Sequence, residues 1–352
     1  MGGTNEQDVF IDLTGQDDNL GDSALRQAYL RAVRHERRRM HVYFDAPTGD
    51  YLSGFELTER DTIYTRRPDW LRASEKSRNP VHLLNAGEID PQAGSFPNPR
   101  KSVELRYAAA TGATLIAAGL GFKDPAASQS LRFSAPFRQA ALVSWRDSAS
   151  RDTAGFGEVA PDWAYSLGTD TQEWIPSDSR DLLAVTMRFD RPWPAPAWIE
   201  GVRGAAREWG VRVVTLAQVA RDAPRAVRLA EALGGEYRLP PSMLHADLDA
   251  YAREIFQQSL AVVSDRAHGL IIGATEGAVP IGSAANAQKI HRLLAEADLG
   301  ELVGRYEQLP AFVGQLAERR AALAPAVDRA RVRVAELTRR INEIMDRGAP
   351  QA

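Results

Sequence analysis

Short apolar runs alternate with helical patterns along the chain, and this alternation limits the fold more than any other feature. In the first half, runs that predict strands lie at 9–13, 41–44, 80–87, 113–118 and 140–145. Helical patterns follow the first run and precede the fourth. Because strands separated by helices pair in parallel, their polar and glycine-rich ends should meet at the carboxyl edge of one sheet. The first half is therefore predicted to be Rossmann-like.

The second half repeats this design. Predicted strands lie at 182–187, 211–216 and 260–264, and predicted helices at 198–209, 223–233 and 246–259. A polar segment at 165–180 is the predicted linker. We therefore predict an α/β protein with GT-B-like architecture, in which two Rossmann-like domains face a cleft; this step is fold analogy. The predicted domains are residues 1–170 on the acceptor side and 171–300 on the donor side.

Residues 301–352 form a predicted amphipathic helical segment, either one long helix or a helix pair. Apolar residues recur there among many arginines and glutamates. Acidic residues interrupt the basic face, which favours packing across both domains, or against a second subunit, over binding to a membrane surface. The sequence therefore leaves open whether the protein forms a homo-oligomer.

Composition limits the function classes. A formal net charge of -3 argues against broad nucleic-acid binding, and the absence of cysteine excludes disulfides, thiolate zinc sites and cysteine nucleophiles. No apolar run reaches the roughly 20 residues of a membrane span, and no secretory signal is visible. We expect a cytoplasmic protein whose membrane contact, at the inner face, is at most peripheral. No cluster of histidine and carboxylates has metal-ligand spacing, so neither a metal nor a cofactor is predicted.

The turn at 262–269 is the strongest candidate for a functional site. Arg266 and His268 follow an apolar strand and precede the apolar helical run that starts at Gly269. A helix N-terminus presents free amides and a positive dipole end, and arginine can hold phosphate or carboxylate with two hydrogen bonds. We predict an anion-binding turn here. A capping or buried structural histidine is the alternative for His268.

The loop between the first strand and first helix is the second candidate. Its polar residues and its glycine could contact a sugar acceptor: Asp18, Asn19, Gly21 and Asp22. The loop lacks the GxGxxG pattern of dinucleotide sites. The alternative is a helix cap formed by Asp22 or Ser23, and for Ser23 the cap is favoured.

Arg146, at the end of the run at 140–145, is the third candidate. It would point into the cleft, although a surface pair with Asp147 is the preferred interpretation from these residues alone.

Together these segments resemble the polysaccharide pyruvyl transferase family over most of 9–299. The resemblance runs through Gly15 and Asn19 to Leu25, Gly119-Leu120-Gly121, Arg146-Asp147-Ser148, Pro161-Asp162, Arg266 to Gly269 and Gly277 to Pro280. It implies transfer of the enolpyruvyl unit of phosphoenolpyruvate to a sugar of a cell-surface polysaccharide or its precursor, which forms a pyruvate ketal and releases phosphate. Lys289 matches a family lysine, whereas Asn85 to Glu88 departs from the family's glycine run.

The implied chemistry assigns roles to these residues. Donor binding falls to Arg146, Arg266, His268, Lys289 and Gly269, because phosphoenolpyruvate carries two anionic groups that need several fixed cations. His268 is the expected acid, with Arg266 also catalytic, because the pKa of a histidine lies near neutral pH. Asp22 is the expected base across the cleft. The sugar acceptor could be lipid-linked.

Two other functions stay open. A GT-B glycosyltransferase that uses a nucleotide sugar would also place a diphosphate at the helix N-terminus, with Glu276 as the candidate that binds the ribose. An inactive carbohydrate-binding scaffold would keep the fold without the chemistry.

Overall fold

The structure is a computed structural model that describes residues 6–17, 19–90 and 94–348. In the described part of the first half, ten strands are present: β1 (Gln7–Asp12), β2 (Arg38–Tyr43), β3 (Thr62–Tyr64), β4 (Val81–Leu84), β5 (Gly87–Ile89), β6 (Ser95–Phe96), β7 (Thr114–Phe122), β8 (Arg132–Phe133), β9 (Leu142–Trp145) and β10 (Glu158–Val159). The helices between them are α1 (Leu20–Val33), α2 (Gly49–Ser53), α3 (Arg67–Glu75), α4 (Pro99–Ala110), α5 (Ala135–Arg138) and α6 (Ser148–Ala154).

Eight of these strands form a parallel sheet in the order β10-β9-β7-β4-β1-β2-β3, with β5 paired to β7, and β6 pairs separately with β8. The sheet lies in the middle of this half, with helices on both of its faces. In β1, Val9, Phe10 and Ile11 are therefore fully buried. From β1, the chain adds β2 and β3 on one side of the sheet and then β4, β7, β9 and β10 on the other, so the strand order reverses between β1 and β4. A crevice opens outside the carboxyl ends of the strands at such a point, and the loop before α1 lies there.

The second half forms another parallel sheet from β11 (Leu182–Thr186), β12 (Arg212–Thr215), β13 (Glu236–Tyr237), β14 (Ser259–Ser264), β15 (Val279–Ser283) and β16 (Val303–Gly304). Its helices are α7 (Pro196–Trp209), α8 (Ala223–Leu233), α9 (His245–Gln258), α10 (Ala267–Thr275) and α11 (Gln288–Ala295). The strand order is β13-β12-β11-β14-β15-β16, with the reversal between β11 and β14. Two Rossmann-like halves are therefore present, as the alternating pattern predicted.

The chain ends in α12 (Leu309–Val313) and α13 (Leu316–Gly348). The start of α13 packs in the core of the second half through Leu323 and Val327. Its later turns bury Val334, Ile341 and Met345 in the core cluster that includes β1 and α1. This confirms the predicted helical segment and its packing across both halves. The predicted boundaries at 170 and 300 stay predictions.

The structure corrects the predicted end of the fourth strand. The strand β7 continues through Gly119 to Phe122, although the glycines predicted its end at Ala118. Gly119 has φ +76°, a backbone conformation that glycine adopts readily, at an irregular point of the strand. A side chain there would also overlap the Trp163 ring, so the position requires glycine.

Candidate functional site

The turn predicted to bind an anion joins β14 to α10. Arg266 is the residue just before α10, and its backbone N–H donates to Ser264 Oγ at 2.9 Å. Its side chain makes no capping hydrogen bond. The amides of Ala267, His268 and Gly269 therefore have no side-chain acceptor from the cap, which is the arrangement that favours an anion.

Arg266 belongs to a charged group that we call the donor-side cluster, made of Arg188, Asp222, Asp265 and Arg266. Arg266 Nη2 lies 2.6 Å from Asp222 Oδ2, and Asp222 Oδ1 accepts from the backbone N–H of Phe189 at 2.9 Å. Asp265 Oδ1 accepts from the backbone N–H of Arg188 at 2.8 Å. The two carboxylates thus hold the loop after β11 against the turn before α10.

Burial raises the pKa of both acids in this cluster. It raises the pKa of Asp222, because desolvation outweighs the attraction of Arg266. It raises the pKa of Asp265 to about 6, because a hydrogen bond from Arg188 and the charge of Arg266 only partly offset the desolvation. Asp265 therefore titrates closer to neutral pH than an exposed aspartate does.

Four buried polar atoms around this turn make neither a hydrogen bond nor an ion pair within the described chain. They are Thr186 Oγ1, Gln218 Nε2, Asp265 Oδ2 and Arg266 Nε. Thr186 ends β11 and Gln218 follows β12, so all four lie at the carboxyl edge of the second sheet. Buried polar atoms in folded proteins are nearly always paired. Four unpaired atoms around one helix N-terminus indicate a site that a polar ligand would complete.

A second charged group, the cleft cluster, joins the two halves. It consists of Asp162, Arg146 and His268. Asp162 Oδ2 accepts from Arg146 Nη1 at 3.1 Å and lies 3.5 Å from His268 Nε2. Burial alone would raise the pKa of Asp162, but His268 and then Arg146 hold it well below its usual range. Asp162 therefore stays ionised and orients a histidine from the opposite half.

The loop before α1 contacts the same histidine. A methyl group at Gly21 would overlap the His268 ring, so glycine permits this contact. Burial alone would raise the pKa of Asp22, yet Arg26, a hydrogen bond from Gln16 and the charge of His268 lower it. The predicted acceptor-side residues Gly21 and Asp22 thus meet the predicted catalytic His268.

The cap of α1 differs from the predicted alternatives. Asn19 is the N-cap, and its side chain accepts from the backbone N–H of Gly21 at 3.1 Å. Ser23 lies inside α1, where its hydroxyl donates to Leu20 O and contacts His245 Nδ1 at 2.7 Å. The favoured cap role of Ser23 is therefore wrong. Asp18 lies outside the described residues.

Lys289 crosses the cleft from α11. Its Nζ forms an ion pair with Glu88 of β5, and 44% of its side chain stays exposed. Desolvation and then the charge of Arg146 lower the pKa of Lys289, against the opposing effect of Glu88. Lys289 and Arg146 are therefore close enough to interact, while Arg266 pairs in the separate donor-side cluster.

Other residues tie the halves together beside these clusters. Glu296 Oε1 accepts from the Ser148 backbone N–H at 2.7 Å, and Arg292 Nη2 donates to Phe122 O at 3.1 Å.

The described residues contain no group of three histidine or acidic side chains that could hold a metal ion. None of the described helices is long and apolar enough to cross a membrane.

Two further predicted contacts are wrong. Glu276 follows the last turn of α10, at the end opposite the cleft, where it is buried and paired with Arg253 at 2.7 Å. It therefore cannot bind a ribose beside the α10 N-terminus. Arg146 pairs with Asp162 in the cleft, and the predicted surface pair with Asp147 does not form.

Sequence reasoning missed Asp222 and Gln218 and gave Asp162 no role. Asp222 lies between β12 and α8, and Gln218 lies in the same loop. The rule that ligands bind at the carboxyl edge of parallel strands could have found both.

Solved structures resemble this chain over almost its full length. It is similar to MnaA of S. aureus solved with UDP, at 11% identity and TM-score 0.59 over 97% of each chain. It is similar to UGT2 of Phytolacca americana complexed with UDP-2-fluoro-glucose and pterostilbene, at 8% identity and TM-score 0.58, over 97% of this chain and 99% of that one. It also resembles HepE of Anabaena in complex with UDP, at 13% identity and TM-score 0.55, over 97% and 98%.

This chain has a GT-B fold. No protein-family model and no curated protein matches the sequence. The predicted fold class is thereby confirmed.

These findings correct the prediction of pyruvyl transfer from phosphoenolpyruvate. The solved structures named above hold UDP or a UDP sugar rather than phosphoenolpyruvate. Within the site, each cation assigned to the donor already has a carboxylate partner: Arg146 with Asp162, Arg266 with Asp222, and Lys289 with Glu88. The three cations are therefore not a set of free charges gathered for one small dianion, and Arg266 lies in a different cluster from Arg146. The predicted reaction is therefore wrong, and the family resemblance stays a prediction.

Proposed function

We propose that this chain is a transferase that moves a sugar from a nucleotide-sugar donor, held by the second half, to a hydroxyl of a carbohydrate acceptor held by the first. The observation that carries this proposal is the group of unpaired polar atoms around the α10 N-terminus. It supplies donors and acceptors together at the topological switch point of the sheet, where ligands of such folds bind. The UDP in the similar solved structures supports the same class of donor.

The donor-side cluster suits a nucleotide sugar better than a small dianion. A diphosphate can accept from the amides of Ala267, His268 and Gly269 and interact with the Arg266 guanidinium. Asp265 offers a carboxyl oxygen that needs a hydroxyl donor. Ribose and sugar hydroxyls provide such donors, and phosphoenolpyruvate has none.

His268 is the candidate general base for the acceptor. Asp162 lies beside its Nε2, so the carboxylate favours a proton on that nitrogen and leaves Nδ1 basic. Nδ1 is the ring atom nearest Gly21, on the acceptor side. The acceptor oxygen bonds to the anomeric carbon as the bond from that carbon to the diphosphate breaks. His268 takes the hydroxyl proton, and the nucleoside diphosphate leaves over α10.

A cavity of about 390 Å³ in the first half is the candidate acceptor site. It lies at the carboxyl ends of β4 and β7 and is bordered by the start of α4. Asn85, Glu88, Asn98 and Lys101 supply polar groups in its wall. Because Glu88 also pairs with Lys289, this cavity reaches the cleft. Its mixture of amide, carboxylate and ammonium groups suits a sugar with several hydroxyls.

Calorimetric titration of the full chain with UDP, GDP, ADP, TDP and phosphoenolpyruvate tests the proposal. We expect at least one nucleoside diphosphate to bind, and phosphoenolpyruvate not to bind.

Arg266→Gln should weaken nucleotide binding roughly tenfold or more, because a charge-assisted hydrogen bond is lost. Arg203→Gln is the matched control, because Arg203 lies on α7 and pairs with Glu200. Binding of phosphoenolpyruvate with no response to any nucleotide would overturn the proposal.

A further inference from the structure

The loop after β11 displays aromatic side chains on a restrained backbone. Pro192 and Pro194 flank Trp193, and proline fixes its own φ and limits the residue before it. Trp193 keeps 39% of its surface exposed and Phe189 keeps 37%. Two large aromatic rings therefore face solvent on a loop with little freedom to fold them away.

Two arginines from α8 cover the Trp193 ring, and Arg221, just before α8, lies over the Phe189 ring. The guanidinium of Arg228 lies 4.5 Å from the centre of the Trp193 ring, and that of Arg225 lies 5.7 Å from it. Arg225 also donates to the carbonyl of Pro192 at 3.2 Å. Among the described residues, Arg225 and Arg228 have no carboxylate partner. Their charge is therefore available to an outside anion. We call Phe189, Trp193, Arg225 and Arg228 the cationic aromatic patch.

The patch lies at the rim of the cleft. The loops after β11 and β13 leave the same carboxyl edge of the sheet, because the strands are parallel and adjacent to β12. The loop after β13 exposes Leu239 at 77% and Leu244 at 40%. Apolar side chains and unpaired arginines thus share the edge that faces the acceptor half.

We infer that the cationic aromatic patch docks onto the surface of an anionic membrane. Tryptophan rings favour the headgroup region of a bilayer, and arginines beside them are attracted to anionic lipid headgroups. The whole chain carries a formal net charge of -3, so the attraction is local to the patch and aligns the cleft with the bilayer. A lipid-linked acceptor could then enter from the membrane. The docking itself does not depend on which donor the site binds.

Co-sedimentation of the full chain with lipid vesicles tests this inference. We expect binding to vesicles of phosphatidylcholine with 30 mol% phosphatidylglycerol at about 0.1 M salt, and little binding to phosphatidylcholine alone. Arg225→Gln/Arg228→Gln should lower the partition coefficient roughly 30-fold, about fivefold for each arginine near the surface. Trp193→Ala should also lower it and leave its salt dependence in place.

Arg203→Gln/Arg207→Gln is the matched control, because it removes the same charge from a groove at the C-terminal ends of α7 and α8. This control should bind vesicles like the unchanged chain. Unaltered thermal unfolding of the patch variants would show that they stay folded. The inference is overturned if anionic vesicles do not bind, if both double variants bind equally, or if the patch binds RNA instead of vesicles.

Discussion

Buried ion pairs on both sides of the cleft define the site at the scale of single residues. Asp162 pairs with Arg146 and approaches His268, while Asp222 pairs with Arg266. Removing one partner of a buried pair leaves an uncompensated charge, which typically costs about 3–5 kcal/mol. Each acid therefore compensates the charge of the arginine beside it and also sets the position of a functional side chain.

Gly21 offers a direct test of the contact between the loop before α1 and His268. Gly21→Ala should displace the His268 ring, lower transferase activity and reduce the unfolding free energy by about 1–3 kcal/mol, because the added methyl group overpacks the cleft. Activity assays and chemical denaturation measure both effects.

Gly204→Ala is the control for this substitution. Gly204 lies inside α7, and an added methyl group meets no atom within 4 Å. Alanine there should raise the unfolding free energy by about 0.5–1 kcal/mol and leave activity unchanged, because glycine is the poorer helix former. Equal effects of the two substitutions would contradict the proposed contact.

The candidate residues could be found from the sequence, but their partners could not. Arg266 and His268 are marked by their place between an apolar strand and an apolar helix. Asp222 and Asp162 lie 44 and 106 positions from these partners, and no local pattern specifies a pair across such distances. The missing partners explain why a set of free cations for phosphoenolpyruvate was predicted where the structure has paired charges.

At the scale of elements, long periodic segments were predictable and short ones were not. The predicted strand at 140–145 and helix at 223–233 correspond to β9 and α8. The two-residue β10 and three-residue β3 have too few residues for a period of two to be visible. In β7, the glycines of the sequence predict a strand end. Gly119 is instead needed for the close contact with Trp163, and that contact exists only in the tertiary structure.

The helix α13 should contribute strongly to stability because it packs on both cores. Ile341→Ala should lower the unfolding free energy by about 2–5 kcal/mol, since Ile341 is fully buried and its loss leaves a cavity. Val332→Ala in the same helix should change it by less than about 0.5 kcal/mol, because Val332 is 69% exposed. Chemical denaturation would measure both, and a comparable loss for Val332→Ala would contradict this packing.

At the scale of the whole molecule, the two sheets meet at their carboxyl edges with charged residues from each half in contact. This architecture was predictable from the repeated alternation of strands and helices. The donor was not, because a helix N-terminus with an arginine fits any phosphate ligand. The buried carboxylates beside Arg266 are what favour a ligand with hydroxyl groups, and they became visible only in three dimensions.

A crystal structure of the full chain with the nucleoside diphosphate identified by titration tests the central claim most directly. We predict that its diphosphate lies over the amides of Ala267 to Gly269 beside Arg266, with hydroxyls hydrogen-bonded to Asp265. A nucleotide bound elsewhere, with this turn unchanged and unliganded, would contradict the claim.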